Sequence, residues 1–290
     1  MRIKVTTIFR NMLREPGVIV LPGVYDALTA KLAERVGFKI IVHTGYATAA
    51  SLLGQPDVGL VSFKEMCDRV ASIARAVRIP VMSDADTGYG NPINVYRTVK
   101  EYIRAGAAGL FIEDQVWPKR CGHMSGKQII SAEEMVAKIK AAIDAKDDED
   151  ADFVVGARTD AIATDGIDEA IERAKSYSKA GADFVYIEAY ESIEQMEKAV
   201  ERVEPPLVLN LIEGGKTPIV SVKQAEEMGF KMVAFPLTAL WATTNAVTNT
   251  LQILKETGSP QSYLSELTTW AEFNEIIGLP EIKEMEEKYK

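Results

Sequence analysis

The sequence Ala105-Gly106-Ala107-Ala108-Gly109-Leu110-Phe111-Ile112-Glu113 joins the end of a predicted helix to a short, almost continuously apolar strand. Apolar residues at helical spacing over Val95–Ala105 predict the helix. Gly106 can adopt the left-handed conformation that ends it. Strands that are apolar on both faces are typical of a parallel sheet covered by helices, so this unit predicts an α/β fold.

The same unit recurs along the chain, at Val36-Gly37-Phe38, Ala180-Gly181-Ala182 and Met228-Gly229-Phe230. The predicted strands are Val18–Leu21, Lys39–Thr44, Val81–Asp86, Gly109–Glu113, Phe153–Thr159, Phe184–Glu188, Leu207–Leu211 and Met232–Pro236. The predicted helices are Ala27–Val36, Lys64–Ala76, Val95–Ala105, Ala132–Ala145, Ile167–Ala180 and Val222–Met228. Eight strands alternating with helices predict a closed (β/α)8 TIM barrel better than an open doubly wound sheet.

Two segments lie outside this repeating pattern. Lys146-Asp147-Asp148-Glu149-Asp150 is a charge run that we expect to form a solvated loop. After Pro236 the sequence is mostly helical, over residues 238–257 and 270–290. We expect one domain over residues 1–290, with the barrel at about 15–255 and a C-terminal helical extension at about 256–290. The extra helices are expected to pack on a partner subunit, in a homo-oligomer that is a tetramer built as a dimer of dimers.

The composition limits the possible partners of the chain. Its 290 residues are 47% hydrophobic, and the net charge of −9 with scattered basic residues gives no surface for nucleic acid. The sequence contains no apolar run of bilayer length and no basic-then-apolar leader, so we expect no membrane association and a cytoplasmic location. The two cysteines, Cys67 and Cys121, are expected to be free thiols in a reducing compartment.

Polar side chains follow the predicted strands at their C-terminal ends, where the active sites of such barrels lie. Asp84 and Asp86 alternate along one strand, which would place both carboxylates on one face, roughly 7 Å apart. A hard cation such as Mg²⁺ would relieve their repulsion, and Mn²⁺ suits the same ligands. Asp57 and Glu113 could bind the waters of that ion. The alternative is a turn or capping role for Asp86 before Thr87-Gly88.

The segment from Glu113 to Lys127 places Cys121 between Lys119, Arg120 and His123. Neighbouring cations favour thiolate, so this cysteine could move a proton at neutral pH. Gly122 and Gly126 would act as hinges of a mobile loop. The alternatives are a structural loop cysteine and, for His123, a simple hydrogen-bonding role.

Three other segments also bear on the site. Arg158 could form a buried ion pair with Glu188, clamp a substrate carboxylate, or do both. The amides of Thr44-Gly45-Tyr46 could bind a carboxylate or form a simple turn. The segment Glu213–Pro218 contains Lys216 but lacks the spacing of a phosphate-binding P-loop, so that interpretation is rejected.

These motifs resemble those of the isocitrate lyase and phosphoenolpyruvate mutase superfamily. The signature loop is Lys119-Arg120-Cys121-Gly122-His123, and the likeness extends over nearly the whole chain. The other segments that carry it are Asp84-Ala85-Asp86, Phe111-Ile112-Glu113-Asp114-Gln115, Gly156-Ala157-Arg158-Thr159-Asp160 and Glu188. The carbon–carbon lyases have a cysteine at the position of Cys121, and the phosphonate-forming mutases lack it. The resemblance therefore favours the lyase branch.

The resemblance implies a role for each of these residues. Mg²⁺ would bind Asp84 and Asp86 directly and Asp57 and Glu113 through water, and Cys121 would be the general acid on a closing loop. His123, Arg158 and Glu188 would act with Cys121 in catalysis. The implied substrate-binding residues are Thr44, Gly45, Tyr46, Asp84, Lys119, Gly122, Arg158 and Asn210. The substrate would be a small dicarboxylate or tricarboxylate whose C2–C3 bond is broken.

The loop after the signature also bears on the substrate. It runs Met124-Ser125-Gly126-Lys127, where methylisocitrate lyases typically have Arg-Pro-Asn-Lys. Losing an arginine argues against a third carboxylate, so the resemblance favours cleavage of 2,3-dimethylmalate to pyruvate and propanoate. Cleavage of methylisocitrate and hydrolysis of oxaloacetate stay as alternatives. Two other classes of protein are disfavoured. A Schiff-base aldolase would need a lysine at a strand end, and a non-catalytic barrel would have no need for the acidic pair and the cysteine.

Overall fold

The computed structural model describes residues 3–204 and 206–290, in which eight parallel strands close into a barrel in chain order. The strands are β1 (Ile19–Val24), β2 (Ile41–His43), β3 (Val81–Asp84), β4 (Gly109–Glu113), β5 (Val154–Thr159), β6 (Phe184–Ile187), β7 (Leu207–Asn210) and β8 (Met232–Phe235). Pairing of β1 with β8, with Ile19 opposite Met232, closes the barrel. The predicted (β/α)8 architecture is confirmed.

Helices follow the strands and cover the outside of the barrel. They are α1 (Val5–Arg14), α2 (Ala27–Val36), α3 (Gly45–Thr48), α4 (Phe63–Ala76), α5 (Pro92–Ala105), α6 (Ala132–Glu149), α7 (Ile162–Asp165), α8 (Ile167–Lys179), α9 (Ile193–Arg202), α10 (Val222–Met228), α11 (Thr238–Thr257), α12 (Trp270–Ile276) and α13 (Leu279–Lys288). Helices α1, α3, α7 and α9 were not predicted from the sequence. The glycines that were assigned to helix ends adopt positive φ, for example 96° at Gly106.

Alternating strand residues separate the interior of the barrel from its helical cover. On β6, Phe184 and Tyr186 pack in the interior cluster, whereas Val185 and Ile187 pack in a cluster with the surrounding helices. This is the period of two that a strand imposes. Glu188, the next inward position after Tyr186, therefore lies at the C-terminal mouth.

Helix α1 covers the opposite end of the barrel. Phe9 is fully buried in the interior cluster. Arg10 donates hydrogen bonds to both carboxylate oxygens of Asp183, each at 2.9 Å, and to the carbonyl of Phe153. These contacts close the N-terminal end and leave the C-terminal mouth as the open one.

The charge run at Lys146–Asp150 is not a loop, which corrects the prediction. Its first four residues form the last turn of α6, and Asp150 is the C-cap. Lys146 is buried and lies 3.2 Å from the Asp183 carboxylate. Because Lys146 is buried, one face of this turn packs against the protein. A run of charged residues in the sequence does not show which of them are buried.

The C-terminal helices leave much apolar surface uncovered. Trp270 is 85% exposed, and Val247 and Leu251 on α11 are at least half exposed. Isolated exposed apolar residues are normal, but a series of them along consecutive helices marks an interaction surface. Among the described helices, none is both long and apolar enough to cross a membrane.

Candidate active site

A cavity of about 60 Å³ lies at the C-terminal mouth of the barrel, under the segment from Trp117 to Lys127. Its polar lining comes from several strand ends and from this loop, as the position of active sites in such barrels requires. The polar lining residues are Thr44, Tyr46, Asp57, Asp84, Cys121, His123, Arg158, Tyr186, Glu188 and Asn210. The structure thus brings most of the predicted site residues to one cavity.

Asp84 and Asp86 both point to this end, although not as two positions on one strand. Strand β3 ends at Asp84, and Asp86 lies in the turn beyond it with φ of 48°. A Cβ at Gly45 would lie 2.9 Å from Asp84 Oδ2 and 3.4 Å from Asp86 Oδ1, so the two carboxylates converge on that glycine. The Gly45 amide donates to Asp84 Oδ2 at 3.2 Å. The predicted pairing of the carboxylates is retained, but the predicted strand geometry is wrong.

Lys119 lies between two of the acidic residues. Its Nζ is 2.7 Å from an oxygen of Asp57 and 2.7 Å from Asp86 Oδ1, and the side chain is almost fully buried. Although burial opposes it, the Asp86 and Asp57 carboxylates raise the pKa of Lys119 well above its usual value. In this closed arrangement the predicted substrate-binding lysine contacts carboxylates of the proposed metal site.

Arg158 is shared by three carboxylates. Its guanidinium lies 3.3 Å from Glu113, 3.0 Å from Asp160 and 3.3 Å from Glu188. Burial alone would raise the pKa of Glu188, but Arg158, His123 and Lys127 together lower it below its usual range. The predicted ion pair between Arg158 and Glu188 is present, and it belongs to a larger network.

The mouth of the barrel carries more buried acids than permanent cations. The acids are Asp57, Asp84, Asp86, Glu113, Asp160 and Glu188, and the cations are Lys119, Lys127 and Arg158. Burial raises the pKa of Asp86 to about 6 and that of Glu113 well above its usual value. Glu113 Oε1 is buried without a hydrogen-bond partner among the described residues. An oxygen-ligated divalent cation would offset this excess of negative charge.

The residues present fit Mg²⁺ or Mn²⁺. Within the described ranges, no three His, Cys, Asp or Glu side chains converge as ligands of one ion. Mg²⁺ commonly takes one or two carboxylates directly and keeps several waters. Asp84 and Asp86 could be those direct ligands, with Asp57 and Glu113 at the edge of the water shell.

Cys121 lines the cavity and is half-buried. Its backbone amide donates to the carbonyl of Asp57 at 3.1 Å, which fixes the loop over the acidic residues. Burial, reinforced by the charges of Asp57 and Glu188, raises the pKa of the Cys121 thiol to about 11. The prediction that neighbouring cations favour thiolate is therefore wrong, because Lys119 is directed to carboxylates and burial dominates.

His123 is held by the loop after β7. The Lys216 amide donates to His123 Nδ1 at 2.9 Å, and His123 Nε2 lies 2.9 Å from Glu188 Oε1. An accepting Nδ1 assigns the proton to Nε2, which can then donate toward Glu188. The sequence analysis missed the contribution of Gly215-Lys216, because a backbone amide leaves no residue-type signal.

Two further contacts hold the signature loop in place. Lys127 Nζ lies 2.7 Å from Asp160 Oδ1 and also donates to the carbonyl of Gly122. A Cβ at Gly122 would collide with Arg158 and Glu188, so only glycine allows this approach. Gly122 is therefore required for loop closure on the Arg158 network, in addition to its predicted role at the substrate.

The remaining predicted residues lie around the same cavity. Thr44 Oγ1 and Asn210 Oδ1 are buried without hydrogen-bond partners in the described residues, and Asn210 Nδ2 donates to Glu188. Tyr46 lines the wall, with its ring edge-on to Trp241 at 6.0 Å. His43 at the end of β2 is structural: it bonds Ser83 and Thr48, and burial lowers its pKa to about 4.

A parallel barrel with clustered acids, a neutral thiol and a covering loop defines an enzyme of the (β/α)8 class. Residues 9–255 match the model of the phosphoenolpyruvate phosphomutase family. The chain belongs to this family, within the phosphoenolpyruvate mutase/isocitrate lyase superfamily.

Three similar proteins show the range of chemistry in that superfamily. A 2,3-dimethylmalate lyase from Eubacterium barkeri is 44% identical over 97% of this chain and 96% of its own length. A 2-methylisocitrate lyase from Aeropyrum pernix is 44% identical over 93% of this chain and 86% of its own length. The structure of an oxaloacetate acetylhydrolase superposes with a TM-score of 0.93, at 38% identity, covering 99% of this chain and 97% of that one. Together with family membership, the lyases support a carbon–carbon lyase.

Proposed function

We propose that this chain is a Mg²⁺-dependent lyase that cleaves 2,3-dimethylmalate to pyruvate and propanoate. The observation that carries the proposal is a neutral, half-buried thiol at Cys121 beside an acid-rich barrel mouth. A proton donor next to a cation site is the combination that retro-aldol cleavage of a 2-hydroxy acid needs. The similarity to a 2,3-dimethylmalate lyase over the full chain supports the same substrate.

Different residues of the chain bind the substrate and transfer the proton. Mg²⁺, when bound, would hold the 2-hydroxyl and its adjacent carboxylate and make that hydroxyl more acidic. Arg158, His123, Asn210 and the Thr44-Gly45 backbone would orient the dicarboxylate under the loop. The closed loop excludes water from the carbanion that forms when the C2–C3 bond breaks.

Cys121 supplies the proton that ends the reaction. A base takes the proton of the 2-hydroxyl, and as the C2–C3 bond breaks the oxygen forms the ketone at C2 while the electrons of that bond pass to C3 and the second carboxylate. The Cys121 thiol donates its proton to C3, which gives propanoate. Because burial raises the thiol pKa to about 11, the proton is present on sulfur at neutral pH.

Two features of the cavity favour an alkyl-substituted malate. Ile212, Pro236 and Leu237 form an apolar part of its wall, suited to methyl groups. The cations are already engaged, since Lys127 pairs with Asp160 and Arg158 is shared by three carboxylates. A third carboxylate would leave the cavity without a matching cation, which disfavours methylisocitrate.

The test is release of pyruvate by the purified protein with Mg²⁺, comparing 2,3-dimethylmalate with methylisocitrate, and release of oxalate from oxaloacetate. We expect the highest kcat/KM for 2,3-dimethylmalate and loss of turnover with EDTA. A higher kcat/KM for methylisocitrate would replace the substrate assignment and keep the lyase. Oxalate release as the main activity would replace the reaction type by hydrolysis. Turnover that survives EDTA would remove the metal from the proposal.

Gly215→Ala should prevent the loop from docking. A Cβ at position 215 would lie 2.6 Å from His123 Nδ1, so the histidine could not keep its hydrogen bond to the Lys216 amide. Since a displacement of about 1 Å can cost about a hundredfold in rate, we expect kcat/KM to fall tenfold to a hundredfold. Steady-state kinetics would measure the loss.

Tryptic digestion gives a second readout of the same variant. Lys119 and Lys127 are buried in the closed loop, so cleavage after either residue reports opening. We expect faster cleavage at both in Gly215→Ala, with an unchanged thermal midpoint. Wild-type rates of cleavage and turnover would contradict the docking role of Gly215.

We also propose that the chain forms a homo-oligomer, a tetramer built as a dimer of dimers. The exposed apolar residues along α11 and α12 support a second copy as their cover, because both helices lie largely outside the packed barrel. Leu251→Asp should reduce the mass measured by light scattering, while Asn249→Asp on the same helix serves as the matched control. Equal masses for wild type and Leu251→Asp would count against this surface.

A further inference from the structure

Tyr186 is a buried tyrosine on the floor of the cavity to which no role has been given above. It lies on β6, one inward position below Glu188, and pairs in register with Arg158 on β5. The side chain is 4% exposed, and that small exposure is to the cavity that it lines. The Tyr186 side chain therefore borders the space where the proposed substrate would bind.

The ring of Tyr186 is fixed from two sides. The Arg158 guanidinium carbon lies 5.5 Å from its centroid, in cation–π geometry, and the Phe111 ring packs against it at 5.4 Å. Such contacts hold an aromatic ring in one orientation. A fixed ring positions its hydroxyl without further cost when a ligand binds.

The hydroxyl of Tyr186 makes no hydrogen bond to any described residue, unlike several other buried tyrosines. Tyr102 donates to the carbonyl of Asp84 at 3.2 Å, and Tyr177 donates to the Asp114 carboxylate at 2.7 Å. Because the Tyr186 hydroxyl has no such partner and is not among the fully buried unpaired polar atoms of the described residues, part of it is open to the cavity. An unpaired donor that faces a binding cavity is explained by a ligand acceptor.

Several other donors at the cavity already bond to protein groups, which a substrate oxygen would have to share with them. The Gly45 amide donates to Asp84, Asn210 Nδ2 donates to Glu188, and Arg158 is shared by three carboxylates. Burial and the Glu188 charge also keep the pKa of Tyr186 well above its usual value, so the hydroxyl carries its proton at neutral pH. Tyr186 is therefore a neutral O–H donor still free for an incoming oxygen.

We propose that Tyr186 is a substrate-contacting residue whose hydroxyl donates a hydrogen bond to an oxygen of the bound acid on the floor of the barrel. This inference rests on the proposed function for the identity of the acid. A neutral donor adds no charge to the site, so it selects for an oxygen atom there without raising affinity for simple anions. An acid with only apolar atoms at that position would leave the hydroxyl unpaired and bind more weakly.

The test compares Tyr186→Phe with Tyr190→Phe. Tyr190 is the matched control, because its hydroxyl also has no partner among the described residues but is fully buried outside the cavity, where its ring packs on Phe230. Both substitutions remove an unpaired hydroxyl, so neither should lower the thermal midpoint. Only Tyr186→Phe should lower kcat/KM for 2,3-dimethylmalate, by tenfold to a hundredfold.

Binding of oxalate with Mg²⁺, measured by calorimetry, separates this inference from the proposed function. We expect Tyr186→Phe to raise the Kd of oxalate about tenfold and Tyr190→Phe to leave it unchanged. If wild type binds oxalate but cleaves none of the three acids, the proposed function fails, and the Kd comparison still decides the role of Tyr186. Equal Kd and kcat/KM values in wild type and Tyr186→Phe overturn the inference, as does a wild type that does not bind oxalate.

Discussion

Cys121→Ser is expected to lower kcat for 2,3-dimethylmalate about a thousandfold, within the range that general acid catalysis supplies. The serine hydroxyl is nearly isosteric with the thiol but holds its proton too tightly to protonate C3 efficiently. KM should change little, because the carboxylates of the substrate are bound by other residues. Steady-state kinetics with Mg²⁺ would measure both parameters, with Cys67→Ser as the control. Cys67 lies half-buried on α4, packed against the core, and should be replaceable without loss of rate.

The alkaline limb of the pH profile tests the protonation state of the same residue. Activity that needs the neutral thiol is retained while pH lies below the thiol pKa and is lost as pH rises through it. Burial raises that pKa from 9.0 to about 11, so kcat/KM should persist beyond pH 9 and fall near pH 11. If kcat/KM of the wild type already falls below pH 9, and this fall is absent in Cys121→Ser, the thiolate forms too easily for the proposed role.

Much of the fold could be predicted from the sequence because it depends on local signals. Apolar strands such as Gly109–Glu113 and glycine helix ends such as Gly106 each report their own conformation. The clustering of Asp84, Glu113 and Arg158 was also predictable, since the C-terminal ends of barrel strands must meet. Helix α1 was missed because it precedes the first strand and lies outside the repeating pattern.

The chemistry of single groups depended on tertiary contacts that the sequence does not contain. Lys119 is next but one to Cys121 in sequence, yet its ammonium group lies between Asp57 and Asp86 and does not stabilise the thiolate. Likewise, Tyr186 looks like an ordinary strand residue in the sequence, and only the closed barrel shows that its side chain lines the cavity. Charge near a residue in sequence is therefore a poor guide to its pKa when the side chains diverge.

Arg158→Met should combine the largest loss of stability with nearly complete loss of activity. Methionine fills a similar volume but leaves Glu113, Asp160 and Glu188 buried without their shared cation. Removing one partner of a buried ion pair costs about 3–5 kcal/mol, so the free energy of unfolding in urea should fall by that amount at pH 7. Activity should fall because both the carboxylate clamp and the packing of the Gly122 loop depend on the guanidinium.

The pH dependence of that stability loss identifies its electrostatic part. The pKa of Glu188 is held below its usual range in the wild type, so its stabilising contribution is present above the unfolded pKa of 4.5 and decreases as pH falls. The difference in unfolding free energy between wild type and Arg158→Met should therefore stay nearly constant from pH 7 down to about pH 5 and shrink as pH falls below 4.5.

Arg10→Met provides the matched control at the other end of the barrel, where Arg10 pairs with Asp183. It should also lower the free energy of unfolding, but the protein that remains folded should keep the wild-type kcat/KM. Equal losses of activity in the two variants would mean that Arg158 acts only through stability. A stability difference independent of pH would mean that packing, and not the three carboxylates, explains the loss.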